Sequence, residues 1–116
     1  MKRKQVIEQN YLEKIPAHPA HIPFTVDDSG IVTLAVENKG VFHRLAQLLL
    51  GKPKVSYVHL DEHGSFVWQC LDGKNNILAI GEDVKAHFGD AAEPLYERLA
   101  TFFKILDSYG FVEWKE

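Results

Sequence analysis

The string His59-Leu60-Asp61-Glu62-His63 sets two imidazoles and two carboxylates within five positions, the residue types from which zinc sites are built. The spacing is wrong for a helical zinc site, which needs H-E-x-x-H so that both imidazoles share one helix face. Here His59 closes a strand and His63 opens a helix, so the two side chains diverge. His18 and His21 lie in a Pro-rich segment and are expected to be exposed. The single cysteine, Cys70, falls on the apolar face of its helix with no cation or helix N-terminus beside it, which reads as an inert buried thiol. Trp68 and Trp114 read as packing residues. No Gly-rich phosphate loop, G-x-S-x-G or paired-carboxylate pattern is present. The residues thus offer no catalytic constellation, no metal ligand set and no cofactor site, and a non-enzymatic protein is expected.

The elements that position these side chains follow from periodicity. Residues 1–21 read as an arm. Val6, Ile7, Tyr11 and Ile15 line one side of a short helix, and Pro16, Pro19 and Pro23 then enforce extended or polyproline-like chain. Phe24–Val26, a loop at Asp27–Gly30 and Ile31–Glu37 form a β-hairpin, with Gly30 supplying positive φ. Val41–Leu50 has a helical period and stops at Gly51 and Pro53. Lys54–Leu60 alternates as a third strand, with Val55, Tyr57 and His59 on one side.

Three linked helices follow. Asp61 caps the first, which turns Phe66, Val67, Cys70 and Leu71 to the core. Asn76 caps the second, whose buried stripe is Ile77, Ile80, Gly81, Val84 and Phe88. Gly81 costs helix propensity of roughly 1 kcal/mol against Ala, so its place on that stripe points to close packing. The third runs from Asp90 to Tyr109 with Pro94 in its first turn, and Phe111–Trp114 is a short strand or packed tail. The fold class is α+β: a three-stranded antiparallel sheet followed by three helices, with an extra helix inserted before the third strand.

Composition narrows the function classes. The chain has 116 residues, a net charge of −3, 46% hydrophobic and 25% charged residues, which fits one soluble domain with a modest core. It has no basic field to attract phosphate backbones. No apolar run approaches the roughly 20 residues of a membrane span, and the basic start lacks the apolar stretch of a signal peptide. With one cysteine and no internal disulfide, a cytoplasmic protein is expected.

Two surfaces are left for binding. On the third helix Ile105, Tyr109, Phe102, Leu95, Leu106, Leu99 and Phe103 cover an arc of about 160°, wider than the about 100° of a single core face. Either the arm or the tail around Trp114 wraps the surplus, or one flank lines a groove for a partner. The third strand, if at the sheet edge, can accept an added strand, whose alternate side chains would meet Val55, Tyr57 and His59.

Residues 57–73, YVHLDEHGSFVWQCLDG, resemble the central motif of the PqqD-like family, a strand running into an N-E-x-G-x-x-x-W-x-x-L-D-G helix. The matching positions are Leu60, Asp61, Glu62, Gly64, Trp68, Leu71, Asp72 and Gly73. The family's T-V-x-E-I second helix reads here Asn76-Ile77-Leu78-Ala79-Ile80, with Asn for the capping Thr and Ala for the Glu. Leu99, Phe102, Leu106, Gly110 and Phe111 stand where the family has its third helix and its closing glycine and apolar residue. The likeness spans residues 22–112 and is strongest over 57–112. The helix at 41–50 and the long arm set this chain apart from typical members.

The resemblance implies a winged-helix-like domain over 22–116 after the arm 1–21. Such modules are precursor-peptide recognition elements. They bind the leader of a ribosomally made peptide and present it to a modifying enzyme, often a radical SAM enzyme, without making bonds themselves. It also implies a leader added beside the third strand and packed on the third helix, with Val55, Tyr57 and His59 on one wall and Arg98, Phe102 and Ile105 on the other. Two alternatives stand beside it. A winged-helix shape can bind DNA, although the second helix sets Glu82 and Asp83 against Lys85 alone. A plain interaction module would form a homodimer through the strand edge or the third helix.

Overall fold

The computed structural model describes residues 9–37 and 55–115. The expected helix at 41–50, and Val6 and Ile7 of the arm, lie outside these residues. The fold is α+β with antiparallel sheets. Its contacts group into two units, one of Ala20–Ser65 and one of the residues up to Pro19 together with those from Phe66 onward.

In the Ala20–Ser65 unit, β2 (Phe24–Val26), β3 (Val32–Glu37) and β4 (Val55–His59) form an antiparallel sheet in the order β2-β3-β4. These are the three strands expected from the alternation. The hairpin loop is fixed by Asp27, whose carboxylate accepts from the N–H groups of Ser29 (2.8 Å) and Ile31 (3.0 Å), and Gly30 sits at φ +85°. Val32 and Leu34 are buried on one face of β3, and Leu34 is paired with Val58.

One side chain closes the β3–β4 ladder. Leu60 N–H donates to Val32 C=O at 2.9 Å, but the reciprocal bond is not direct. Val32 N–H donates instead to Ser65 Oγ (2.8 Å), and that hydroxyl donates to Leu60 C=O (3.3 Å). Ser65 is the one buried polar side chain among the described residues. Asp61 caps α2 (Glu62–Cys70), accepting from Gly64 N–H at 2.7 Å, and so fixes the turn in which Ser65 lies.

The other unit is mainly helical. Trp68, near the end of α2, is fully buried. His18 stacks on it at 4.6 Å between centroids and 15° between planes, and His18 Nε2 lies 2.6 Å from Trp68 C=O. The expected exposure of His18 is therefore corrected: the half-buried ring covers an indole, while His21 is exposed. Asn76 caps α3 (Ile77–Phe88) through its side chain, which accepts from Ala79 N–H at 2.9 Å. Ile77, Ile80, Gly81 and Val84 are buried as expected, and Phe88 is half-buried.

Gly81 is packed as its position on the stripe implies. A Cβ there would stand 2.5 Å from Tyr96 Cε1, inside any permitted contact. The Tyr96 hydroxyl donates past it to Leu78 C=O at 3.2 Å. A backbone without a side chain is what lets the ring lie across α3.

The third helix begins later than expected. Gly89–Ala92 forms a 3₁₀ turn, Glu93 is extended, and α4 runs Leu95–Ser108 with Pro94 at the N-cap. Pro94 has no N–H to continue a helical ladder, and the residue before it, Glu93, is extended. Lys85 Nζ holds Glu93 Oε2 at 2.6 Å across the turn. At the other end Gly110, at φ +75°, and Phe111 donate back to Asp107 C=O (3.0 Å) and Leu106 C=O (2.8 Å), a Schellman closure.

The segment at the start of the chain is not a free arm where it is described. After α1 (Gln9–Leu12), β1 (Ile15–Ala17) pairs antiparallel with β5 (Glu113–Lys115). Tyr11 meets the Trp114 ring edge-on at 5.9 Å, Trp114 lies 5.9 Å from Phe103 of α4, and Lys104 Nζ stands 5.4 Å over Tyr11. Arm and tail thus cover one side of α4. Burial raises the Tyr11 phenol to about 12, with Asp107 adding to the rise.

Candidate functional site

Two surfaces hold the residues singled out by the sequence, one in each unit. The first is β4. Among the described residues it is the last strand of its sheet. Val55, Tyr57 and His59 pair with Glu37, Ala35 and Thr33 and share a face with them, opposite the face of Val32 and Leu34. Tyr57 is 66% exposed, and His59 Nδ1 lies 2.8 Å from Thr33 Oγ1.

The ladder also fixes the backbone. Because Leu60 N–H bonds Val32, antiparallel alternation gives the inward bonds to residues 60, 58 and 56. Ala35 N–H, which bonds Pro23 on the β2 side at 2.9 Å, follows the same alternation. The N–H and C=O groups of Val55, Tyr57 and His59 therefore point away from β3, toward the outer edge. These are also the three residues that the alternation of β4 sets on one face.

The second surface is the outer flank of α4. The apolar arc expected from the sequence divides in two. Leu95, Leu99, Phe103 and Leu106 are buried, whereas Phe102 is half-buried, Ile105 is 50% exposed and Tyr109 is 69% exposed. Arg98, Phe102, Ile105 and Tyr109 follow one another at four-, three- and four-residue steps, so they form one stripe along the helix. Exposed Arg98 begins it, with its guanidinium donating to Ala91 C=O at 2.8 Å. Tyr109 ends it, stacked on Phe111 at 5.5 Å and 27° by the Gly110 turn. Tyr109 and Phe111 were not among the expected contact residues. The four-residue step from Ile105 and the closing glycine are the signals that lead to them.

The remaining chemistry-bearing residues do not assemble. Among the described residues no three His, Cys, Asp or Glu side chains gather as a metal site. His59 is exposed on the sheet and His63 is half-buried in α2. Cys70 is half-buried rather than fully buried, and burial, with Asp83 and Asp72 adding to it, pushes its thiol up to about 11. Phe66, expected in the core, is half-buried and stacks on His87 at 4.4 Å. Among the described residues no helix is long and apolar enough to cross a membrane.

Comparison with known families decides the assignment. The model of the family described as coenzyme PQQ synthesis protein D (PqqD) matches residues 31–112, most of the chain. The chain belongs to the PqqD family. The match takes in β3, β4 and α2 through α4, the elements that carry both surfaces. Membership supports a peptide-recognition role in coarse terms, with a peptide and a modifying enzyme as the kinds of partner, and it accords with a non-catalytic protein. No curated protein and no solved structure matches the chain.

Proposed function

We propose that this PqqD-family protein captures an extended segment of a ribosomally made precursor peptide and presents it to a separate modifying enzyme, the radical SAM type being the one its family resemblance implies. The observation that carries the reading is the outward backbone of Val55, Tyr57 and His59 on β4, the last strand of its sheet among the described residues. Main-chain pairing there supplies affinity and is indifferent to sequence, while the side chains beside it supply choice. Val55, Tyr57 and His59 meet alternate residues of the peptide. Arg98, Phe102 and Ile105 of α4 are the second set of contacts. The winged-helix-like arrangement and a cytoplasmic setting belong to the same proposal.

The test is an NMR titration of the ¹⁵N-labelled full chain with leader peptides encoded beside its gene. Amide shifts at 55–59 and on the outer flank of α4 are expected, with Tyr57→Ala weakening binding while leaving the spectrum of the free protein folded. A confirmed peptide whose affinity ignores both Tyr57→Ala and Phe102→Ala would place the binding surface elsewhere. Duplex DNA is the control ligand: salt-dependent binding to it would favour the nucleic-acid reading.

A further inference from the structure

Among the described residues the two-stranded sheet, too, ends in an edge strand. β1 is occupied on both sides, by β5 on one and by Asp72–Gly73 on the other, through the Ala17–Asp72 bridge and a bond from Gly73 N–H to Pro16 C=O at 3.0 Å. β5 is the outer strand, and among the described residues no strand pairs with its far side.

Pro16 fixes which way β5 faces. Its carbonyl is turned to Gly73 and it has no N–H, so the Pro16–Trp114 pair is the non-hydrogen-bonded kind. Ile15–Lys115 and Ala17–Glu113 carry the ladder. By alternation the N–H and C=O of Trp114 point out of that edge. The indole anchors this point of the strand, resting on Tyr11 and Phe103 and donating from Nε1 to Asp107 at 3.1 Å. Exposed Glu113 and Lys115 flank Trp114 on the opposite face, 3.6 Å from each other.

We propose that β5 pairs with β5 of a second copy of this chain, antiparallel about a two-fold axis at Trp114. Each Trp114 exchanges its outward N–H and C=O with the other, an isologous contact. In that register Glu113 of each copy stands opposite Lys115 of the other. The two intramolecular pairs then join into one ring of four alternating charges. Parallel pairing in register would set Glu113 against Glu113 and Lys115 against Lys115, which is repulsive. The sequence Glu-Trp-Lys is thus charge-complementary to itself in one direction only. Strands this short bury far less than the roughly 1,000 Å² of a stable interface, so the dimer is weak and grows with concentration. This inference does not rest on the peptide reading, which uses the other sheet.

The test is the sedimentation coefficient and the amide spectrum of the full chain, followed from dilute solution to about millimolar concentration. A rising coefficient with shifts centred on residues 112–115 is expected. Glu113→Lys and Lys115→Glu each place like charges opposite one another twice, and each should weaken association by about tenfold. The double reversal should restore it. Circular dichroism checks that each variant is folded. A chain that stays monomeric throughout, association with shifts away from 112–115, single reversals that associate like the parent, or a double reversal that fails to recover would each overturn the proposal.

Discussion

The two flanks of α4 are held by different things. On the inner flank Leu95, Leu99, Phe103 and Leu106 are buried, and Tyr96 lies against the bare backbone of Gly81. On the outer flank Ile105 and Tyr109 keep half or more of their surface in water, at the end of a stripe that starts with a cation. The β3–β4 pair is divided in the same way. Its inner face buries Val32 and Leu34 and its ladder is closed by Ser65, while Tyr57 and His59 stand on the outer face. Apolar surface that is already buried contributes to folding. Apolar surface still in water contributes only when something covers it. The inner surfaces should therefore respond to mutation in stability and the outer ones in association.

The largest break in that contrast is Phe103→Ala. The ring is fully buried, and its removal should cost about 3–5 kcal/mol of unfolding free energy, read by urea denaturation. A loss below 1 kcal/mol would mean that the inner flank is not the core. Gly81→Ala comes next. The propensity gain of about 1 kcal/mol is outweighed by a Cβ 2.5 Å from the Tyr96 ring, and a net loss of about 1–2 kcal/mol is expected. In a double-mutant cycle with Tyr96→Ala most of that loss should vanish, because the clash goes with the ring. Ser65→Ala leaves Val32 N–H and Leu60 C=O without their shared partner in a buried position, at about 1–2 kcal/mol. Ser65→Thr keeps the hydroxyl and separates the lost hydrogen bonds from any change in volume.

What the sequence made legible is mostly what short spacing determines. The caps at Asp61 and Asn76, the buried stripe of α3 and the turn at Gly110 each involve residues within a few positions, so their types suffice. Gly81 on that stripe marks a close approach, but its partner Tyr96 lies on the next helix and no local pattern names it. The late start of α4 was also encoded, in Pro94, but the acidic residues at 90 and 93 look equally like the first turn of a helix. The pairing of β1 with β5 and the seat of His18 on Trp68 join residues about 100 and 50 positions apart. No local pattern marks such partners, which is why residues 1–21 read as an arm. At the candidate site the alternation of β4 was enough to set Val55, Tyr57 and His59 on one face. Their outward backbone needed the ladder, and the ladder's closure by Ser65 had no signal in a lone serine on a helix.

The thiol of Cys70 offers a finer probe of the inner side of α2. Its pKa stands at about 11 against 9.0 for an unperturbed group, with burial the main cause. The folded value is raised, so the contribution to stability is complete below the unfolded pKa and is lost as pH rises through the folded one. Near pH 8 the thiolate fraction is about a hundredfold below that of a free cysteine, and alkylation of the native chain should be slower by a similar factor. Reaction at the rate of free cysteine would show that α2 does not shield this position.

The smallest stability effect belongs to the outer flank, and it is the one that sharpens the contrast most. Ile105→Ala and Tyr109→Ala remove apolar atoms that are largely in water already, so each should change unfolding free energy by no more than about 0.5 kcal/mol. If the stripe covers itself with a peptide, the same substitutions should weaken that complex by about 1–2 kcal/mol apiece, because the surface desolvated on binding is the surface deleted. Arg98→Ala at the other end should add salt dependence to the loss, since a rim charge acts through a screened field. A substitution at 105 or 109 that unfolds the protein as Phe103→Ala does would erase the distinction between flanks. One that changes neither stability nor peptide affinity would leave α4 with a closed inner side and assign its outer stripe to some other partner.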